Sequence, residues 1–187
     1  EAVKMLAGRG LLDVARGRRA IVRQPDGSVF GEFLTSLLKS DPKCLFDLIQ
    51  VRRSLEIQSA TMAARQASRA GILAAEAALA RMREAAADWK KGEETAQRRF
   101  HEADVGGNRV LSYLFEGMAS PLRESFHASR RGQQMRGVTL DDSVAQHEHI
   151  LACVSSGDAK GAAEAMSRLI DDAERDIRAA YGPAAFA

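Results

Sequence analysis

The sequence has little cysteine, no long apolar run and few marks of an enzyme. Its 187 residues include two cysteines, Cys44 and Cys153, which stand far apart and in no metal-ligand spacing. We therefore expect ordinary buried thiols in a reducing compartment. No apolar run approaches the ~20 residues of a membrane span, and the start at Glu1 does not resemble a signal peptide. These absences predict a soluble cytoplasmic protein with no membrane partner.

Catalytic signatures are also missing. The sequence contains no nucleophile with a nearby base and no glycine-rich phosphate loop, so we expect a protein that is not an enzyme. A chain of 187 residues is long enough for one main domain with a small appendage.

Positive charge is concentrated near the start of the chain. The formal net charge is only +2, yet residues 1–27 hold six basic and three acidic side chains. Arg16, Arg18, Arg19 and Arg23 follow one another with no acidic residue between them. Such a concentration suits contacts with phosphate groups, although a solvated turn would carry the same charges.

The first 24 residues predict the end of one structural unit. Val3 and Leu6 share a helical face, and Gly8 ends the pattern, so we expect the last turns of a helix whose start precedes Glu1. Two short apolar runs then flank a turn that contains Gly17, which predicts a β-hairpin. A helix followed by such a hairpin has the form of a DNA-binding wing. Proline and glycine at 25 and 27 predict a linker over residues 25–29.

Beyond the linker, apolar residues recur at helical spacing. Residues 33–38 predict one helix, which Asp41 and Pro42 end while they start the next. That second helix places residues 45–59 along one broad side. The alanine-rich stretch 60–87 predicts a further helix packed closely against its neighbours.

The second half of the chain continues the pattern. A helix is predicted from about 92 to 105, and Asn108 can cap the following one, which Pro121 must kink or restart. A polar loop is expected at 130–137. Thr139 and Asp142 then resemble a capping box, and Asp158 caps the last helix, which stops at Gly182. The predicted fold class is all-α: an antiparallel bundle of about seven helices over residues 30–182, with a tail at 183–187.

Several segments together resemble the GntR family of transcriptional regulators, FadR branch. Residues 1–6, 10–12 and 17–22 are similar to the end of the recognition helix and the wing of its winged helix-turn-helix domain, which would be present here in truncated form. The remainder resembles the FCD effector domain of that family in five segments: residues 52–56, Phe100-His101, residues 107–111, residues 147–151, and Gly157-Asp158 with Ala162 and Met166.

The resemblance implies a homodimeric repressor that binds a palindromic operator. It would release the operator, or bind it with a different affinity, when a small metabolite such as an organic acid or a related compound enters the helical domain. Arg16, Arg18 and Arg19 would contact phosphates or enter the minor groove. Arg19 and Ala20 depart from the family pattern, which often has a glycine and a small hydroxyl residue at these positions.

The same resemblance raises the question of a metal. Many FCD domains hold a divalent ion with one aspartate and three histidines. The matching positions here are Gln97, His101, His147 and Leu169, so two ligands are missing, including the only anionic one. We therefore expect no metal or other cofactor, with His101 and His147 as the residual candidates and His149 or Asp172 as substitutes.

Without a metal, the family positions still predict an effector site. His101 and His147 would line it as neutral hydrogen-bonding groups, together with Gln97 and Asn108, and Arg52 would clamp an acid with its planar fork. Arg52 is equally well placed to pair with Glu56 one turn on. Two other functions stay open at this point: a helical-bundle metal-binding protein or enzyme, and a dimerisation module without an effector.

Overall fold

The computed structural model describes residues 1–24, 26–41, 43–66, 68–87 and 108–182. In chain order its elements are α1 (Ala2–Gly8), β1 (Leu12–Asp13), β2 (Ile21–Val22), α2 (Ser28–Ser40), α3 (Cys44–Gln66), α4 (Arg69–Ala87), α5 (Arg109–Arg136), α6 (Leu140–Ser155) and α7 (Ala159–Tyr181). The all-α prediction is confirmed. The helix predicted at 92–105 and the tail at 183–187 lie outside the described residues. No helix in the described ranges is long and apolar enough to cross a membrane.

The short hairpin follows α1, as predicted. β1 and β2 pair antiparallel, with Leu12 opposite Val22 and Asp13 opposite Ile21. Gly17 lies in the connection between them with φ 82°, a conformation that glycine adopts without steric cost. The turn therefore forms where the sequence places its glycine.

The last two residues of the predicted linker are helical. We expected the linker over residues 25–29, but α2 begins at Ser28, whose backbone N–H donates to the Asp26 carboxylate at 3.0 Å. A side chain that accepts from the first helical N–H groups stabilises the start of a helix.

Two apolar clusters hold the helices together. The larger lies among α3, α4, α6 and α7, and Ile49, Ala78, Ile170 and Ile177 are fully buried in it. The smaller is formed mainly by α5, whose Phe115 and Met118 pack with Leu48 of α3 and with α2. Alanines at 60, 63, 64, 75 and 78 are buried, as the composition predicted. They do not form one helix, because α3 extends to Gln66 and the Ser68 hydroxyl caps the start of α4 by accepting from Gly71 N–H.

The sequence predicted that Pro121 would kink or restart α5 and that residues 130–137 would form a loop. The helix does not restart at Pro121, and the predicted loop was wrong because residues 130–136 continue α5. Burial explains the continuation, because Ser125, Phe126 and Gly132 all face the bundle. The helix ends at Gly137, which adopts φ 73° and returns its N–H to the carbonyls of the last turn.

Helix α2 packs on α5 by direct backbone contact. A Cβ atom added at Gly31 would lie 2.4 Å from the carbonyl oxygen of Gly117. That carbonyl is the one that Pro121, four residues on, cannot reach with a hydrogen bond because proline has no N–H. The close approach of Gly31 therefore takes place where α5 lacks an internal bond.

Three predicted helix starts are confirmed. Asn108 Oδ1 accepts from Val110 N–H and Leu111 N–H at 3.1 Å each. Thr139 and Asp142 form the reciprocal capping box at α6, and Asp158 accepts from Gly161 N–H at α7. These local signals are visible in sequence because the donor and acceptor stand within three residues of each other.

Candidate functional site

A group of polar side chains is buried inside the bundle, where apolar residues would be expected. Each of its members is less than 9% exposed, and together they come from α3, α5 and α7: Arg52, Glu56, Ser125, Ser129 and Asp176. We call this group the polar cluster. Buried polar groups cost free energy unless they are hydrogen-bonded, so their concentration at one place points to a role beyond packing.

Arg52 is the cation of the polar cluster. Its Nε donates to Glu56 Oε1 at 2.7 Å, and its Nη1 donates to Ser125 Oγ at 3.1 Å. The guanidinium carbon also lies 5.1 Å from the centre of the Phe126 ring. The predicted pairing of Arg52 with Glu56 is confirmed. These contacts fix the guanidinium plane, while its role as a clamp for an acid stays a prediction.

Asp176 is the second carboxylate of the polar cluster. It accepts from Ser129 Oγ at 3.3 Å and from the guanidinium of Arg136. Burial raises the pKa of Asp176 above its ordinary value, although its hydrogen bonds to Arg136 and Ser129 oppose the shift. Close packing of the backbones produces this burial, since a Cβ added at Gly132 would lie 1.8 Å from the carbonyl oxygen of Asp176.

A narrow cleft opens onto the polar cluster. Its lining combines Arg52, Phe126, Ser129, Gln133, Gln146, Leu169, Asp172, Ala173 and Asp176. Within it, Gln146 Nε2 donates to Asp172 Oδ2 at 2.7 Å. The described walls leave room for about one water molecule. The cleft thus offers one cation, two carboxylates and two amides at close quarters.

His147 follows Gln146 of the cleft lining on α6 and is fully buried. Its Nδ1 is 2.7 Å from the Ser143 carbonyl oxygen. A carbonyl oxygen can only accept, so Nδ1 carries a proton and donates to it. The role of His147 in an effector site stays a prediction.

The other predicted effector-site residues divide into two groups. Gln97 and His101 lie outside the described residues. Asn108 is exposed, and its side-chain oxygen caps the start of α5. It is not in the lining of the cleft beside the polar cluster, and its assignment to the effector site stays a prediction. The requirement of a helix end for an acceptor accounts for an asparagine at this position.

The described residues do not fit the metal site of related domains. Leu169 has no donor atom, and His149 is exposed, two residues after the buried His147, so it is not a substitute ligand. Asp172 is engaged by Gln146 and Arg175. Within the described ranges, no group of three His, Cys, Asp or Glu side chains is placed to hold an ion. The expectation of a metal-free protein stays a prediction.

Sequence reasoning missed several residues of the cluster and cleft, namely Ser125, Ser129, Gln133, Gln146 and Asp176. A signal was available for two kinds of them. Ser125 and Ser129 are one turn apart on the apolar face of α5, and Asp176 interrupts the apolar stripe of α7 just before Ile177. Polar residues at core positions of a helix are candidates for a buried network.

At the other end of the chain, Arg16, Arg18 and Arg19 are exposed on the hairpin connection. Arg18 Nη2 lies 2.6 Å from Asp13 Oδ2, and both side chains are about half exposed. An exposed pair of this kind contributes little stability, so the pair leaves Arg18 accessible, and its contact with phosphate stays a prediction.

Comparisons with known proteins agree with this architecture. The FCD domain model matches residues 47–172. The HTH-type transcriptional regulator LutR of Bacillus subtilis (strain 168) is 26% identical over 184 residues, which are 97% of this chain and 83% of that protein. The solved structure of Streptococcus agalactiae GntR superposes with a TM-score of 0.74 at 20% identity, over 93% of this chain and 78% of that one, and shows the same fold.

The fold and these matches define the class, which is that of transcriptional regulators. The chain belongs to the GntR family and carries its FCD domain, and the FCD match is consistent with the FadR branch. The matched range of 47–172 begins in α3, so α2 precedes the part of the bundle that the family model covers.

Proposed function

We propose that this regulator is a repressor that binds its operator as a homodimer. Binding of a small organic acid at the polar cluster lowers the affinity of the homodimer for the operator. The observation that supports this proposal best is the set of side chains around the narrow cleft beside the polar cluster, where a buried arginine faces amides and carboxylates contributed by α5, α6 and α7. Because the described walls leave room for about one water molecule, binding of an acid requires them to move apart. A preorganised guanidinium is a good partner for a carboxylate, because its paired N–H groups match the two oxygens.

The cleft also contains acceptors that can take a further donor. Asp172 already accepts from Gln146 and Arg175. Asp176 accepts from Ser129 and Arg136. Each carboxylate oxygen has a second lone pair and, when ionised, can only accept. A carboxylate that carries hydroxyl or ammonium groups can donate to these lone pairs, while a simple fatty acid cannot. The polar cluster therefore favours a small, donor-rich acid.

Thermal unfolding with a panel of carboxylates and sugar acids tests the effector site. An acid that binds only the folded chain raises the unfolding midpoint by mass action. In Gln146→Leu, which removes the amide that faces Asp172, the shift should shrink, while Gln134→Leu on the exposed side of α5 should leave it unchanged. Failure of every acid in the panel to raise the midpoint would contradict the proposed effector.

The hairpin arginines support the DNA-binding half of the proposal. A random-sequence duplex is a suitable probe, because phosphate contacts are independent of sequence. Changing Arg16, Arg18 and Arg19 together to alanine should weaken binding and reduce the slope of log K against log salt by up to about 0.9 for each phosphate that is no longer neutralised. A control that replaces Arg65, Arg81 and Arg168 on the bundle removes the same charge. Equal weakening of binding in the two triple variants would contradict a role for the wing.

Exposed apolar side chains support a homodimer. Val29, Phe33 and Leu37 are spaced by four residues on one side of α2 and are all exposed, Phe33 at 63%. A patch of this kind commonly marks an interface. Sedimentation of Phe33→Asp should show monomers where the parent chain forms dimers, and Leu73→Asp, an equally exposed site on α4, should not change the mass. Dimers that persist in Phe33→Asp would place the interface elsewhere.

A further inference from the structure

A second cleft lies between α2, the start of α3, the middle of α5 and the end of α7. Its volume is about 540 Å³, within the roughly 300–1,000 Å³ that small-molecule sites occupy. It shares no lining residue with the cleft beside the polar cluster. An occupant here would therefore not compete with the proposed effector for the same atoms.

The walls of the second cleft are apolar and its charged side chains are mainly basic. Leu38, Leu45, Pro121 and Tyr181 supply the apolar surface. The ring of Tyr181 is held edge-on against Phe46, with 6.3 Å between the ring centres. An aromatic ring fixed in this way is a preorganised surface for an apolar group.

The charges of the lining select the sign of a ligand. Lys39 and Arg123 contribute two positive charges and Glu124 one negative charge, which leaves a net charge of +1. Lys39 and Arg123 are exposed and extend from α2 and α5, the helices on the two sides of the cleft. An anionic group at the mouth would therefore be attracted from both sides while its apolar body remains inside.

The cleft also adjoins the backbone contact between α2 and α5. Thr35 of its lining follows Gly31 by one helical turn, and Ser120 follows Gly117 by three residues. Helix α2 connects the hairpin to the bundle. A molecule held between α2 and α5 would contact the helix that directly follows the hairpin proposed to bind DNA.

We propose that the second cleft is a binding site for a carboxylate that carries an apolar chain or ring. The apolar body packs against Leu38, Leu45 and Tyr181, and the carboxylate pairs with Lys39 and Arg123. The site is separate from the polar cluster and does not depend on the effector assigned to that cluster.

Titration calorimetry with 4-phenylbutanoate tests the proposal on the whole chain. This acid should bind at least about tenfold more tightly than butanoate, which lacks the apolar ring, because buried apolar area drives binding. It should also bind roughly fivefold or more tightly than 4-phenyl-1-butanol, because a unit charge a few ångströms away contributes about that factor near water. No detectable binding up to millimolar concentration, or equal binding of the alcohol, would overturn the proposal.

Variants place the probe in the cleft. Lys39→Glu with Arg123→Glu should weaken binding of 4-phenylbutanoate about tenfold or more, since each reversal replaces attraction with repulsion. Lys160→Glu with Arg168→Glu on α7 makes the same change in net charge away from the cleft and should leave the affinity within about twofold. Equal loss of affinity for 4-phenylbutanoate in both double variants would refute the assignment. A loss of affinity in Gln146→Leu, in the cleft beside the polar cluster, would refute it as well.

Discussion

The buried pair of Arg52 and Glu56 allows a sharp test of how the polar cluster is held. Both side chains are at most 2% exposed, and Ser125 and Phe126 also contact the guanidinium. Replacing Arg52 with methionine keeps the stem and removes the charge, which leaves the Glu56 carboxylate buried opposite an apolar group. Breaking one side of such a pair costs about 3–5 kcal/mol.

The magnitude can be measured by urea unfolding followed by circular dichroism. With a slope of about 2 kcal/mol per molar urea, a loss of about 4 kcal/mol lowers the midpoint by about 2 M. The double variant Arg52→Met with Glu56→Met removes both charges, so it should lose much less than Arg52→Met alone, because apolar residues of similar volume commonly replace a buried ion pair at little cost.

A neighbouring arginine provides the matched control. Arg53 forms ion pairs with Asp171 and Glu174, but its side chain is 25% exposed. Surface pairs contribute about 0–1 kcal/mol, so Arg53→Met should lower the midpoint by no more than about 0.5 M at that slope. The reasoning is refuted if Arg52→Met and Arg53→Met lose the same stability. It is also refuted if the double variant loses as much stability as Arg52→Met and Glu56→Met lose together. A folded double variant that no longer responds to a stabilising acid would also link Arg52 to the effector site.

Three further predictions concern packing, protonation and capping. Gly132→Ala should lose about 1–3 kcal/mol by overpacking against the backbone of Asp176, while Gly8→Ala, which meets nothing within 4 Å, should not; equal midpoints would contradict the contact. Because burial raises the pKa of Asp176, the folded chain binds this proton more readily than the unfolded chain. Stability should therefore fall as the pH rises from about 3.8 through the raised pKa, and Asp176→Asn should flatten that part of the stability curve; an unchanged slope would contradict it. The Thr139 hydroxyl donates to the Asp142 carboxylate and lowers its pKa. Thr139→Ala should therefore lower the free energy of unfolding by about 1 kcal/mol and return the pKa of Asp142 toward its ordinary value in an NMR titration. A pKa that stays low would contradict the capping box.

Local features of the fold could be predicted from the sequence because their causes are local. The glycine of the hairpin turn, the capping box at Thr139 and the asparagine at the start of α5 each act within three residues of their partner. Helical spacing of apolar residues likewise predicted the all-α class. The resemblance of short segments was sufficient to predict the GntR family and its FCD domain, which the comparisons show.

Features that depend on neighbouring helices could not be predicted in this way. Pro121 was expected to kink or restart α5, but the helix continues through it, because burial of the following turns against α3 and α7 outweighs the loss of one hydrogen bond.

The sequence by itself determined the all-α class and the helix starts at Asn108, Thr139 and Asp158, and it indicated the pairing of Arg52 with Glu56 as one alternative, since all of these rest on spacing along one segment. Only the tertiary structure decided that Asp176, Ser129 and Gln146 join Arg52 at one cleft, because these residues lie on different helices and their distance depends on how the helices pack. The second cleft is likewise a product of packing, formed where the glycine contact brings α2 onto α5.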